Sequence, residues 1–326
     1  MPQLKTMRDE TLPGRPVPRH VAVLGPTASG KSEVALRVAR ALQGEIVSCD
    51  SMQVYRELSI GTGKPTRRER ERVHHHLVDA LSMHDEWNTK AFVKQAGAVL
   101  RQLAVAGRPA VLVGGTGLYA QALIYGLSLQ PSDRAVYRDV EAAYHERGGP
   151  RSLRTELRRA APSVPQAVLE NPRRLIRAIE ILRIAGSYPS PDPDVWCGPP
   201  AEWQQYVLLP PRDEHKARIR RRVHGMLRTG WIEETRRLMR GGLFATPTAR
   251  QALGYGDVAA FLRGDIRTEA ELAQILVRRT LKYARRQRTW FRRQHPGSYL
   301  LTLQHGIEEA AIAAAIVAEW HGAQRR

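Results

Sequence analysis

The sequence predicts an α/β fold, in which a parallel sheet is flanked by helices and a small helical domain is inserted into the core. A glycine-rich loop joins an apolar strand to a helix near the N-terminus, and short apolar runs then alternate with helical stretches. From about residue 131 an Arg-rich helical segment interrupts this alternation. In parallel sheets of this kind, functional sites form at the carboxyl ends of the strands.

The first strand, loop and helix carry the most specific motif of the chain. The apolar run 21–24 is typical of a buried strand, and apolar residues repeat at helical spacing from about Lys31 onward. Between them, GPTASGKS matches the pattern G-x-x-x-x-G-K-[ST] in the order of strand, loop and helix that the motif requires. The core is therefore predicted to be P-loop NTPase-like.

This loop predicts a bound di- or triphosphate. Backbone N–H groups of the loop and the N-terminus of the following helix would face the anion, and Lys31 would reach its oxygens. The Ser32 hydroxyl would ligate Mg²⁺, which is the predicted cofactor. The predicted phosphate-binding residues are Gly25, Pro26, Thr27, Ala28, Ser29, Gly30, Lys31 and Ser32.

The following strands place two polar residues at the same edge of the predicted sheet. Strands are predicted at 45–48, 110–113 and 205–209; Asp50 follows the first of these, and Thr116 follows the second in a glycine turn. Asp50 could hold Mg²⁺ or act as a general base. The strand before Thr116 ends in glycine, whereas an ATPase would carry a Walker-B acid there, and this counts against nucleotide hydrolysis.

Composition changes along the chain predict the domain organisation. The inserted segment is charged and helical, and it ends in the Pro-rich stretch SYPSPDPDVWCGPP, which is typical of a linker. Long helices are predicted after it, at 212–228 and 269–293. The predicted parts are a disordered tail at 1–18, a catalytic core at 19–130 and 201–326, and an inserted helical domain at 131–200.

The charge of the chain predicts a polyanionic partner. Lys and Arg number 51 against 32 Asp and Glu, so the formal net charge is +19. RNA, DNA and an anionic membrane would all be attracted. The segment KYARRQRTWFRRQ mixes arginines with aromatic residues, a combination suited to nucleic-acid backbones and stacked bases, although a helix with core aromatics and solvated arginines has the same pattern.

Other segments exclude several classes of protein. Two cysteines, Cys49 and Cys197, exclude a disulfide framework and a zinc finger. The N-terminal 20 residues contain no apolar signal region, and no window approaches 18 uncharged apolar residues, so we expect a cytoplasmic protein without a membrane span. Separately, we expect the protein to be a monomer. We predict that the triplet His74–His76 lies in a loop or the core and binds no metal, because no partner cluster is evident in the sequence.

Several basic residues have two interpretations. Arg218 and Arg222 lie four apart on a predicted helix and therefore share a face, which suits either phosphate binding or a solvated basic surface. In NPRRLIRAIEILR, arginines occupy one side of an amphipathic helix and apolar residues the other.

Taken together, the motifs resemble one family. The segments GPTASGKS, SCDSMQVYRELSIGTGKPT, HHLVD, GRPAVLVGGTGLYAQALIYGL, NPRRLIRAIEI, QALGYGD and YARRQRTWFR occur in this order. This series resembles the bacterial tRNA dimethylallyltransferases (tRNA isopentenyltransferases, the IPP transferase family) over roughly residues 20–293. Two departures from the family pattern, Gly63 for the usual Ala and Arg285 for the usual Lys, leave the implied chemistry unchanged.

The resemblance implies a reaction. Such enzymes transfer a dimethylallyl group from dimethylallyl diphosphate to the exocyclic amine of the adenosine on the 3′ side of the anticodon, so the implied partners are tRNA, through its anticodon stem-loop, and the prenyl donor. The loop would then bind the donor's diphosphate, with Arg218 as a further ligand, Asp50 as general base and Thr116 in contact with the reacting nucleotide. The implied catalytic residues are Asp50, Thr116, Lys31 and Arg218, and the implied tRNA contacts are Asp50, Ser51, Met52, Gln53, Thr116, Arg138, Arg173, Arg174, Leu175, Ile176, Arg177, Gln251, Ala252, Leu253, Gly254, Tyr255 and Gly256.

Two other classes remain as alternatives. A P-loop kinase would share the phosphate-binding motif, but it leaves the basic charge and the arginine–aromatic segment unexplained. A non-enzymatic RNA-binding protein would explain the charge, but it has no need of a complete phosphate-binding loop with Asp50 and Thr116 beside it.

Overall fold

A computed structural model of the chain describes residues 19–126, 130–188, 202–295 and 297–325. The chain divides into two compact units, one formed by residues 1–126 and 198–326 and the other by residues 127–197. The predicted N-terminal tail and most of the predicted Pro-rich linker lie outside the described residues. Within the described ranges, no helix combines the length and apolarity that a membrane span requires.

The larger unit is built on a six-stranded sheet in which all neighbouring strands are parallel, in the order β3-β2-β4-β1-β5-β6. This confirms the predicted α/β fold. The four central strands are buried at every residue except the partly buried Val113, as expected for a parallel sheet covered on both faces. The strands are β1 (His20–Leu24), β2 (Glu45–Cys49), β3 (His75–His76), β4 (Ala110–Gly114), β5 (Trp203–Leu209) and β6 (Tyr299–Thr302).

The helices include those predicted from Lys31 onward, at 212–228 and at 269–293, and a three-residue break between two helices at 146–148 lies within the ERGGP interruption. They are α1 (Lys31–Ala41), α2 (Arg67–Arg72), α3 (Thr89–Val105), α4 (Gly117–Tyr125), α5 (Arg134–His145), α6 (Gly149–Ala160), α7 (Gln166–Glu170), α8 (Pro172–Ala185), α9 (Arg212–Arg228), α10 (Trp231–Arg240), α11 (Tyr255–Leu262), α12 (Glu269–Gln294) and α13 (Glu309–Gln324).

Successive side chains of each strand point to opposite faces of the sheet, and this alternation divides the hydrophobic core into two layers. In β1, Val21 and Val23 pack with α1 and α13 on one face, whereas Ala22 and Leu24 pack with α3, α4 and α12 on the other. Each layer covers one face of the sheet and leaves the ends of the strands accessible. The carboxyl ends are where the glycine loops emerge.

The smaller unit is helical and has a core of its own. Helices α5, α6 and α8 pack around buried apolar residues such as Val140, Leu157 and Ile179. The fully buried Glu180 accepts hydrogen bonds from Ser132 Oγ and the Asp133 amide, and it also pairs with an arginine of α8. This satisfied carboxylate fixes the segment that enters α5.

Candidate active site

Three strand ends bring the predicted polar residues to one edge. The last residues of β1 and β2, Leu24 and Cys49, both pair with Gly114, the last residue of β4. The segments that follow these strands therefore begin side by side. A Cβ at Gly114 would lie 2.0 Å from the Cys49 carbonyl oxygen, so this close approach of two strands requires glycine. A cavity of about 530 Å³ opens at this edge.

The phosphate-binding loop forms one wall of the cavity. Its residues 27–32 line the cavity, and Gly30 adopts a left-handed conformation with φ 87° immediately before α1 begins. Lys31 Nζ donates to the Pro26 carbonyl oxygen at 3.2 Å. Burial, reinforced by the nearby Arg222 guanidinium, lowers the pKa of Lys31 to about 8. Within the described ranges the Pro26 carbonyl oxygen is the one hydrogen-bond partner of this half-buried ammonium, which is therefore suited to an incoming anion.

Asp50 and its turn form a second wall. Asp50 Oδ1 accepts hydrogen bonds from the backbone amides of Met52 (2.9 Å) and Gln53 (3.3 Å), which fixes the orientation of the carboxylate. Oδ2 accepts no hydrogen bond from any described residue, so it can accept a proton within the cavity. Thr116 Oγ1 accepts from the Ser51 amide at 3.2 Å, which links the β4 turn to the Asp50 turn. The structure thus brings the two predicted catalytic residues together.

The two arginines of α9 have different environments. Arg222 lines the cavity and makes no hydrogen bond or ion pair with a described residue, and desolvation lowers its pKa. Its guanidinium lies over Gly63, where a Cβ would come 1.9 Å from Nη2. Arg218, the predicted diphosphate ligand, does not line the cavity; it pairs with Glu214 and Glu309, both at 2.7 Å. Arg222 is therefore the better placed of the two to meet an anion in the cavity.

Arg218 nevertheless stays close to the loop. Its Nη1 lies 3.2 Å from the position that a Cβ would take at Gly30. Its two carboxylate partners come from its own helix and from the start of α13. Arg218 thus adds positive charge beside the loop while being held by glutamates.

Two residues that position the loop were not predicted. Gln287 of α12 accepts a hydrogen bond from the Thr27 amide at 2.9 Å and donates to the Gly115 carbonyl oxygen at 2.8 Å, so it ties the loop to the β4 turn. His215 Nε2 contacts the Thr27 carbonyl oxygen at 2.7 Å. The sequence pattern could have identified Gln287. It lies with Ala284 and Phe291 on the buried face of α12, where a polar side chain needs hydrogen-bond partners.

The segment 251–256, predicted to contact tRNA, contains residues that line the cavity and a residue that supports its wall. Gln251, Ala252, Leu253 and Tyr255 all line the cavity. Gln251 and Leu253 are accessible, whereas Tyr255 is buried and donates from its hydroxyl to Glu234 at 2.7 Å. Glu234 also accepts the backbone amides of Ser59, Ile60 and Gly61. This buried carboxylate therefore holds the loop that closes the cavity beside Gly61.

In the smaller unit, the residues predicted to contact tRNA differ in exposure. Arg138, Arg173 and Arg174 are exposed. Leu175 and Ile176 are buried in the core of that unit, and Arg177 is engaged with Glu180 (2.5 Å) and with the Gln130 carbonyl oxygen (2.9 Å). The exposed arginines are thus the accessible basic groups at these positions.

Comparison with known proteins gives a consistent result. A family model described as IPP transferase matches residues 53–294. A tRNA dimethylallyltransferase of Thermus thermophilus is 40% identical over 290 residues, covering 88% of this chain and 93% of the relative, and one of Salinispora arenicola is 38% identical over 302 residues, covering 90% and 85%.

Solved structures agree with these sequence matches. The full-length tRNA isopentenylpyrophosphate transferase of Bacillus halodurans is 32% identical with a TM-score of 0.65, covering 94% of this chain and 98% of that structure. A eukaryotic dimethylallyltransferase acting on tRNA has a TM-score of 0.76 at 22% identity, covering 95% and 80%, which shows a shared fold.

Proposed function

The chain belongs to the IPP transferase family and is a transferase that prenylates tRNA, and we propose that its strand-end cavity performs this transfer with dimethylallyl diphosphate as donor. The acceptor is the exocyclic amine of the adenosine 3′-adjacent to the anticodon. One observation carries the proposal: a single cavity is lined by a phosphate-binding loop, by the Asp50 carboxylate and by the Arg222 guanidinium, and neither Asp50 Oδ2 nor that guanidinium has a hydrogen-bond partner among the described residues.

The donor's diphosphate binds at the loop. The backbone amides of Ala28 and Gly30 and the N-terminus of α1 face it, whereas the Thr27 and Ser29 amides are engaged by Gln287 and the Pro26 carbonyl oxygen. The Lys31 ammonium and the Arg222 guanidinium neutralise charge that develops on the leaving oxygen. Arg218 supplements this field from beside Gly30. The Ser32 hydroxyl lines the cavity with no hydrogen bond to a described residue, so it fits as an oxygen ligand of Mg²⁺, which would supply further charge neutralisation on the diphosphate.

The acceptor amine enters from the Asp50 side. Its nitrogen forms a bond to the allylic C1 while the C1–O bond to diphosphate breaks, and the amine proton passes to Asp50 Oδ2. Proton removal matters because the lone pair of an adenine amine is delocalised into the ring, which makes the group a weak nucleophile. The adenosine must leave its stack to reach the cavity, as the substrates of other base-modifying enzymes do. Thr116 does not line the cavity; it supports the Asp50 turn by accepting a hydrogen bond from the Ser51 amide.

Analysis of the modified nucleoside tests this proposal. Unmodified tRNA is incubated with the protein, dimethylallyl diphosphate and Mg²⁺, then digested and analysed by mass spectrometry with fragment mapping. We expect one dimethylallyl group on an adenosine amine next to the anticodon. Modification at another position or on another base would contradict the proposed acceptor, and an absence of transfer would contradict the proposed donor.

A further inference from the structure

A cluster of metal-ligating side chains lies at the opposite end of β2 from Asp50. Glu45 begins β2 and is followed by Asp50 five residues later, which at about 3.3 Å per residue separates the two by roughly 16 Å. His74 and His76 lie beside Glu45, and one ligand atom from each of the three side chains lies within 4.8 Å of the others. The expectation that the histidine triplet has no partner cluster was therefore wrong.

Strand geometry explains the cluster. Ile46 pairs with His75 and Val47 with His76 across parallel strands, so Glu45 comes opposite His74. Because side chains alternate along a strand, His74 and His76 share a face with Glu45. His75 points to the other face, where its Nδ1 contacts the Val73 carbonyl oxygen at 2.7 Å.

The donor set is suited to a transition metal. His76 Nε2 lies 2.5 Å from Glu45 Oε2, and the rings of His74 and His76 meet edge to face with centroids 4.4 Å apart. Two imidazoles and one carboxylate form a known ligand set for Zn²⁺. Ligands of a tetrahedral zinc ion lie roughly 3.3 Å apart, given bonds of about 2.0–2.1 Å, so small side-chain movements would close the site.

The surroundings support ligation. Arg108 pairs with Glu45 Oε1, which orients the carboxylate and leaves Oε2 directed at His76, as supporting residues do around metal ligands. His74 is exposed and its ring makes no hydrogen bond with a described residue, so its ring nitrogens are available. We propose that Glu45, His74 and His76 form a Zn²⁺ site, with water completing the coordination, which ties the two-residue edge strand β3 to β2.

The position of the site predicts a structural role. Strand β3 is held by few backbone hydrogen bonds because it spans two residues, so a shared ion would add a cross-link at the edge of the sheet. Zinc bound there would raise the unfolding temperature, since a ligand that binds the folded state stabilises it. Prenyl transfer would not depend on it, because the cavity lies at the other end of β2.

Zinc titration of untagged protein tests the site. Chelator-treated wild-type protein is titrated with Zn²⁺ by calorimetry in excess Mg²⁺, with the thermal unfolding temperature and the Co²⁺ absorption spectrum as second and third readouts. We expect one equivalent to bind, a rise in unfolding temperature and a tetrahedral Co²⁺ spectrum. His74→Ala should weaken binding by at least about tenfold, about 1.4 kcal/mol.

The matched control is His75→Ala, which removes a neighbouring histidine from the opposite face and should keep zinc affinity. His74 is exposed, so its replacement should leave the apo unfolding temperature near that of wild type. Absence of stoichiometric zinc binding by wild-type protein, or equal affinities of His74→Ala and wild type, would overturn the proposal.

Discussion

Asp50 illustrates how one carboxylate can be both structural and reactive. Its Oδ1 accepts hydrogen bonds from the Met52 and Gln53 amides, whereas its Oδ2 accepts none from a described residue and is available to a group in the cavity. A capping role accounts for the first oxygen only. The cavity that contains the phosphate-binding loop gives the second oxygen its proposed use as a base.

Asp50→Asn separates these two roles. The asparagine carbonyl can still accept from both amides, so the turn and tRNA affinity should be preserved. The variant lacks a basic oxygen, and the single-turnover transfer rate should fall by roughly 10²–10⁴. Rapid-quench measurement at saturating tRNA and donor checks this, and a rate within a few-fold of wild type would show that Asp50 is only a turn residue.

The two arginines of α9 should contribute unequally. Arg222→Ala removes the cation that faces the cavity and should lower the transfer rate by roughly 10²–10³, the usual cost of a group that stabilises developing charge. Arg218→Ala should cost less, because Glu214 and Glu309 already engage that guanidinium. Transfer rates and donor affinities of both variants show which arginine contributes more. A larger defect in Arg218→Ala would place the diphosphate at the Gly30 end of the loop.

At the scale of elements, α12 supports the site from behind. Besides the Gln287 bridge, its C-terminal end places the buried His295 against Gly117 at the start of α4, with Nε2 3.3 Å from the Gly117 carbonyl oxygen. Burial lowers the pKa of His295 to about 4. This histidine therefore stays neutral in the folded protein at mildly acidic pH.

Stability should consequently fall as pH decreases. Between the unfolded pKa of about 6.5 and the folded pKa of about 4, the unfolded chain takes up a proton that the folded chain does not, which costs up to about 3 kcal/mol at pH 4. His295→Gln cannot titrate and can still donate to Gly117. Denaturant unfolding at pH values from 7 to 4 should show a smaller decrease in the free energy of unfolding for this variant than for wild type. Equal decreases would mean that His295 does not contribute to the pH dependence of stability.

Element patterns were predicted better than side-chain pairings. The strand at 110–113 and the helix at 212–228 match the structure closely, because apolar periodicity marks buried faces directly. The two-residue β3 was missed, since its histidines have no strand-like pattern. The engagement of Arg218 by Glu309 could not be predicted, because it joins residues 91 positions apart that only the packed fold brings together.

At the scale of the whole molecule, charge and cavity serve different parts of the reaction. The net charge of +19 attracts tRNA through phosphates, independently of sequence. The exposed arginines of the smaller unit, Arg138, Arg173 and Arg174, are proposed to take part in this binding. The cavity residues act on the donor and on one base.

Replacement of Arg173 and Arg174 by alanine should weaken tRNA binding and flatten its salt dependence. For every phosphate that the variant no longer neutralises, the slope of log affinity against log salt should decrease by about 0.7–0.9. Filter binding across a salt series measures this, with the exposed Arg37→Ala of α1 as control. An unchanged slope would mean that both arginines face only solvent, and turnover at saturating tRNA should change less than affinity.

The loop at 25–32 is proposed to hold the diphosphate of an allylic donor, and a transfer assay without nucleotide tests this assignment. Single-turnover transfer from labelled dimethylallyl diphosphate to tRNA is followed with Mg²⁺ and without nucleotide, for wild type and Lys31→Ala, while ATP consumption is monitored in parallel. We expect wild-type transfer without nucleotide, no ATP consumption, and a defect in Lys31→Ala equivalent to roughly 3–4 kcal/mol of transition-state stabilisation. Three outcomes would rule out a diphosphate of an allylic donor at this loop: transfer that requires ATP, phosphorylation of a small molecule from ATP with tRNA left unmodified, or a Lys31→Ala rate equal to that of wild type.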